Sequence, residues 1–335
     1  EDLLVGAYLS DANGANSGAV YVVFGTRDGF PASLDVSALN GANGFRIAGE
    51  VAGDRLGRAV SAAGDVNGDG YDDLIIGRRS SDAGGSDSGA AWVVFGTASG
   101  FAADLDLSSL DGSNGVQFTG LSAGDQLGRS VGRAGDVNGD GIDDILIGAA
   151  LDDAGGSASG AAYVVFGTTT PFAANFNLAS LDGTNGFRIE GEDGFDHLGL
   201  SVAGAGDVNG DGYDDLIVGA PDAYSGGLGT GAAYVLFGKP SGFAASIDPG
   251  ALTGADGFKI NGQTVGDQAG YTVSAAGDVN GDGFDDLLVG AFYNDHYGPN
   301  SGAAYVVFGK ASGFAASLNL AGLNGANGFK IISGV

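Results

Sequence analysis

An all-β propeller is the fold class this sequence predicts, and three observations predict it. The chain repeats itself at a fixed period, each repeat carries four short apolar runs parted by turn residues, and one acidic nine-residue loop returns at the same place. The loop begins at Asp65, Asp136, Asp207 and Asp278, so successive starts are 71 residues apart. A period of that size marks a repeat architecture in which each unit buries its apolar faces against its neighbours. Four strands per unit, set around an axis, make a propeller blade. An open β-solenoid is the competing repeat fold, but it turns in much shorter coils. The 335 residues form a single domain of five units, 1–49, 50–120, 121–191, 192–262 and 263–335.

The fourth unit shows the elements in order. A first run from Leu198 to Gly206 leads into the acidic loop, and a second leaves it from Asp215 to Ala220. A third spans Gly231 to Gly238, and a short fourth, Gly257 to Ile260, follows a longer connection. Runs of four to eight residues rich in Val, Ile, Tyr and Phe and bounded by Gly read as strands. They are nearly continuous in apolar residues, so both faces are buried, as where sheets stack on one another. The long third-to-fourth connection, Gly96 to Gly115 in the second unit, spaces Phe101, Leu105, Leu107 and Leu110 as a flap covering a blade edge. Trp92 stands where other third strands have Tyr and reads as core.

Within each loop the residue types point to a hard cation. Asp207-Val208-Asn209-Gly210-Asp211-Gly212-Tyr213-Asp214-Asp215 places carboxylate or amide oxygens at positions 1, 3, 5 and 9, with glycines at 4 and 6. Alternation in a tight turn aims Asp207, Asn209 and Asp211 at one point, Tyr213 contributes its carbonyl, and Asp215 closes the shell. The equivalent donors are Asp65, Asn67, Asp69, Tyr71 and Asp73; Asp136, Asn138, Asp140, Ile142 and Asp144; and Asp278, Asn280, Asp282, Phe284 and Asp286. A plain Asx turn does not need Asp at position 9. Oxygen-only shells of this kind suit Ca²⁺ better than Mg²⁺ or Mn²⁺, with about four ions per chain. An EF-hand is excluded: it needs Glu at position 12, where Ile76, Ile147, Val218 and Val289 stand, and flanking helices.

Composition agrees. The formal charge is −28, and 16 of the 41 acidic residues lie in the four loops. Such a field repels nucleic acid and anionic lipid. Cysteine is absent, and no apolar run approaches the ~18 residues of a membrane helix. Neither a signal-like start nor any Met is present, so the chain reads as a processed product or a fragment. Calcium sites of this type fill most readily outside a cell, which predicts a secreted or surface-attached protein. The first inner strand and most of the first loop are missing from the repeat pattern. That gap exposes apolar surface, and self-association, a flanking segment or an open ring would each answer it.

The second-to-third connections vary most between units, and a rigid framework with one divergent set of loops is a natural recognition surface. Tyr8, Arg78, Arg79, Tyr224, Tyr293, His296 and Tyr297 depart from the small residues elsewhere and are the candidate ligand contacts. His197 reads as an exposed, drifted position. Enzyme chemistry finds little support: there is no Cys nucleophile, and the two His are 99 positions apart in different units. No acid breaks the repeat as a glycosidase carboxylate would.

The loop Asp-Val-Asn-Gly-Asp-Gly-x-Asp-Asp, running into Leu216-Ile217-Val218-Gly219-Ala220-Pro221 and preceded by Leu198-Gly199, resembles the FG-GAP repeat of integrin alpha-subunit propellers and their bacterial relatives. The resemblance covers essentially the whole chain. It implies Ca²⁺ held in the hairpin between first and second strands on one face of the disc. It also implies a ligand-binding opposite face, made by the second-to-third and fourth-to-first connections. Departures are evident: the Phe-Gly pair is Leu56-Gly57, Leu127-Gly128, Leu198-Gly199 and Ala269-Gly270, and Gly-Ala-Pro is intact only at Gly219 to Pro221. Integrin-type propellers have seven blades of somewhat shorter units, and the near-identical Cys-free units look more like bacterial extracellular proteins. The expected function is therefore that of a non-enzymatic calcium-binding extracellular propeller mediating adhesion or protein binding through the face opposite the acidic loops. A glycan-binding lectin and an accessory domain of a larger secreted enzyme are the alternatives.

Overall fold

The β-branched and aromatic runs become strands where their patterning places them, and every unit repeats one antiparallel sheet. The computed structural model describes residues 2–27, 29–225, 228–296 and 298–332. In the second unit the strands are Ala59–Gly64, Asp73–Arg78, Ala90–Val94 and Gly115–Thr119, hydrogen-bonded in that order. The third, fourth and fifth units follow the same order, and the first begins at its second strand, Leu3–Ala7. Leu3 and Val5 of that strand are 58% and 38% exposed, as expected of a strand without an inner neighbour. Among the described residues the helical structure is five three-residue 3₁₀ turns, each capped by an Asp or Asn side chain. The architecture is a propeller-like all-β fold.

The core lies between adjacent sheets. The second and third strands of the third unit, Asp144–Ala149 and Ala161–Val165, are buried along their full lengths. One cluster joins Ile75, Val93 and Phe118 of the second unit to Ile145, Ile147 and Tyr163 of the third. First strands of neighbouring units run side by side, so they mark the axis. Trp92 is core, 3% exposed.

The flap does more than cover its own blade. Asp104–Leu105, from the second unit's connection, pairs in parallel with the fourth strand of the first unit, Gly44–Ala48. Asn175–Phe176, Ser246–Ile247 and Ser317–Asn319 repeat this on successive units. Each flap thus adds an outermost strand to the preceding blade, the fourth in the first unit and the fifth in the second to fourth, and satisfies an edge that would otherwise present unpaired backbone groups. Phenylalanines fix the docking: Phe101 stacks on Phe45 at 4.2 Å, Phe243 on Phe187 at 4.7 Å and Phe314 on Phe258 at 4.8 Å between centroids. Such ring pairs contribute about 0.5–1.5 kcal/mol beyond their buried area.

Candidate metal loops and the opposite face

Each acidic loop joins a first strand to a second, so all four lie at one end of the strands. The local fold follows from side-chain acceptors placed two to five residues before backbone donors. In the second unit the Asp69 N–H donates to both Asp65 Oδ1 (3.0 Å) and Asn67 Oδ1 (2.9 Å), and the Gly70 N–H donates to Asp65 Oδ2 (2.8 Å). One donor shared by two oxygens forces those oxygens to converge. The Tyr71 N–H donates to Asp69 Oδ1 at 3.0 Å. The same bonds recur around Asp136, Asn138 and Asp140, around Asp207, Asn209 and Asp211, and around Asp278, Asn280 and Asp282.

Position 9 does a different job. Asp73, Asp144, Asp215 and Asp286 are buried, and each carboxylate bridges two backbone donors. Asp215 Oδ2 accepts from the Val208 N–H and Oδ1 from the Gly238 N–H, both at 2.9 Å, tying the loop to the end of the third strand. Burial, working against these hydrogen bonds, pushes Asp73 up to about 7 and Asp144 and Asp215 up to about 8. Among the described residues no three Asp, Glu, His or Cys side chains form a ready metal cluster. The donor set still fits a hard divalent cation. Positions 1, 3 and 5 offer converging oxygens, and each position-9 oxygen keeps a second lone pair.

Position 8 has a role that no local sequence pattern assigns: it reaches the preceding unit. Asp143 Oδ2 accepts from the Asp65 N–H of the preceding unit at 2.9 Å, Asp214 from Asp136 at 2.8 Å and Asp285 from Asp207 at 2.9 Å. Position-7 side chains cross the same seam. The Tyr213 ring fills the space a Cβ on Gly139 would need, and Gly139 has φ +73°, so only glycine suits that turn. Adjacent loops are therefore clamped blade to blade. Asp214→Ala strands the Asp136 N–H at this seam and is expected to cost about 1–3 kcal/mol, measured as a shift in the urea midpoint.

The second-to-third connections lie at the other end of the second strand, on the opposite face. They are less free than drifting solvated loops. A buried Ser17, Ser88, Ser159 or Thr230 anchors each of four, with Ser88 Oγ accepting from the Gly84 N–H at 2.9 Å. Gly18, Gly89, Gly160 and Gly231 press against the start of the next unit's first strand.

The candidate ligand residues divide between surface and framework. Tyr224 is 57% exposed, Tyr293 is 40% and Tyr8 is 37%. Tyr293 meets Phe292 edge-on at 4.9 Å, and Phe292 stacks on Tyr271 at 5.1 Å. His296 is exposed in the same connection, and Tyr297 lies outside the described residues. Arg79 is half-buried and donates to Gln126 Oε1 at 3.3 Å. Arg78 is buried, ion-paired with Asp54 at 3.0 Å and set over the Trp92 ring at 5.0 Å. His197 departs from its expected exposure: it is half-buried, with Nδ1 2.7 Å from Asp222 Oδ2. That contact joins two connections of the fourth unit through side chains 25 residues apart, beyond any local pattern. Arg58 and Arg129, each directly after a Leu-Gly pair, join this face without being among the candidate ligand residues. Their signal in the sequence is a departure from Leu200 and Tyr271 at equivalent positions.

Comparisons with known proteins bear on this arrangement. Residues 56–94, 128–165, 198–236 and 269–307 match the FG-GAP repeat. The chain is 31% identical over 188 residues to Integrin alpha-PS2 of Drosophila melanogaster, covering 55% of this chain and 12% of that protein. It is 31% identical over 239 residues to Integrin alpha-V of Gallus gallus, covering 71% and 20%. Phosphatidylinositol-glycan-specific phospholipase D of Bos taurus is 31% identical over 188 residues, covering 55% and 20%. The chain thus spans a fifth or less of the length of these relatives. No helix among the described residues is long and apolar enough to cross a membrane.

Proposed function

We propose, from the premise that this chain is an FG-GAP-repeat propeller of the integrin alpha-like type, that it is a non-enzymatic calcium-binding module mediating adhesion or protein binding outside the cell. The observation that carries the reading is the division of labour between its two faces. On one face four near-identical loops converge Asp, Asn and Asp oxygens, and on the other the connections diverge in sequence over a locked framework. Calcium, about four ions per chain, would be held by positions 1, 3, 5 and 9 and the carbonyl of position 7. When bound it supplies counter-charge to four aspartates per loop and stiffens the blade hairpins. The chain's own part is to hold the loops in register through position 8 and to present the opposite surface.

Asp211→Ala is expected to lower the bound calcium from about four ions per chain to about three, measured by atomic spectrometry after dialysis against calcium. Four retained ions would contradict the assignment, and loss of all four would contradict independent sites. Capture of surface proteins from intact cells, set against a glycan array, tests the binding role. A lectin is the second reading, favoured by the Tyr271–Phe292–Tyr293 ring cluster on the variable face. A strong glycan signal without protein capture would favour it. The phospholipase D relative supports a further alternative, an accessory role beside a catalytic domain.

A further inference from the structure

A cavity of about 270 Å³ opens at the axis, lined by Tyr8, Arg58, Arg129, Leu200 and Tyr271. Arg58, Arg129, Leu200 and Tyr271 occupy the same repeat position in the second to fifth units, and Tyr8 completes the set from the first. One residue from each of the five units therefore meets the others at the axis. All five lie at the end of the strands opposite the acidic loops, because they start first strands or end a second strand.

The charge here runs against the rest of the molecule. The chain carries 41 acidic residues against 13 Lys and Arg, yet Arg58 and Arg129 form no ion pair among the described residues. Arg58 sits over the Tyr8 ring, 5.5 Å from its centroid. Arg79 stands behind them with a buried Nε that has no partner. Burial, then the positive charge of Arg58, holds Arg129 below the ordinary arginine value. Arg79 is lowered by burial and then by Arg129, Arg58 and Arg55, with Asp87 partly offsetting them. Arg58 is exposed and Arg129 half-buried, and like charges gathered in one cavity repel one another unless an anion joins them.

We propose that this axial cavity binds a carboxylate carried by a protein ligand. The inference rests on the reading of this face as a recognition surface. Guanidinium forks match the planar carboxylate, and Tyr8, Leu200 and Tyr271 form the rest of the wall beside them. The volume suits one side chain or chain end rather than a folded element. A polyanion is disfavoured, because the −28 charge repels it outside the cavity, whereas one carboxylate on a neutral or basic segment meets only the arginines.

The test titrates N-acetyl-Gly-Asp-Gly-amide into the calcium-loaded chain and follows arginine Nε–Hε signals by NMR. Saturable shifts of Arg58 and Arg129 are expected, absent with the Asn peptide. Arg129→Gln and Arg58→Gln should each weaken binding about ten- to hundredfold, and Arg27→Gln should leave it unchanged. If either variant fails to fold, weakening of the wild-type titration by added NaCl serves instead. Equal binding of Asp and Asn peptides, or no salt dependence, overturns the proposal. Gly-Gly-Gly with its free carboxylate, binding as well as the Asp peptide, would support the carboxylate and assign it to a chain end. Tighter binding of glucuronate than of either peptide would overturn the protein assignment. Protein capture from cells that survives the double Arg→Gln change overturns this inference but leaves the proposed function. Peptide binding without any such capture does the reverse.

Discussion

Stripping the chain with EDTA is expected to lower its melting temperature by about 10–20 °C at neutral pH. Each loop confines four aspartates within nine residues, and the formal charge of the chain is −28. A site kept at a hundredfold its dissociation constant contributes about 2.7 kcal/mol, so four contribute about 11 kcal/mol. In a domain of this size one kcal/mol moves the midpoint by roughly 1–2 °C. Readdition of calcium should restore the transition. Magnesium should restore less, because it prefers a tighter octahedral shell and holds its waters. A melting curve indifferent to EDTA would mean that the hydrogen bonds inside the loops suffice to hold them.

Asp215→Ala is expected to destabilise the chain by about 2–6 kcal/mol, because it orphans two buried N–H donors at about 1–3 kcal/mol each. Asp215 is fully buried, and its two oxygens hold Val208 and Gly238. Urea denaturation measures the loss. The exposed Asp72 makes the contrast, and Asp72→Ala should stay within about 0.5 kcal/mol. Running both variants in EDTA separates two roles of the carboxylate. A penalty that persists without metal belongs to the backbone clamp, and one that vanishes would leave Asp215 acting only through a cation.

The period, the four strands and the loop were legible because each is written in local sequence: turn glycines, apolar runs and acids at alternate positions. What escaped depends on distance in the chain. Asp143 sits beside Asp144 and looks like its duplicate, yet it turns to a donor 78 residues away in another blade. The flap's apolar spacing was visible in Phe101 and Leu105, but nothing local says that they pair with the preceding unit. Arg78 and Arg79 are neighbours of one residue type with opposite fates. One points inward to Asp54, and the other stands near the axis, a parity that strand alternation sets but loop sequence hides. Arg58, Arg129 and Tyr8 come from three different units and meet only at the axis those units share.

Crystals of the chain grown with ample calcium and measured for anomalous scattering test the central claim most directly. The account predicts a calcium peak in each of the four hairpins beginning at Asp65, Asp136, Asp207 and Asp278. Those hairpins filled only by water under such conditions would contradict it.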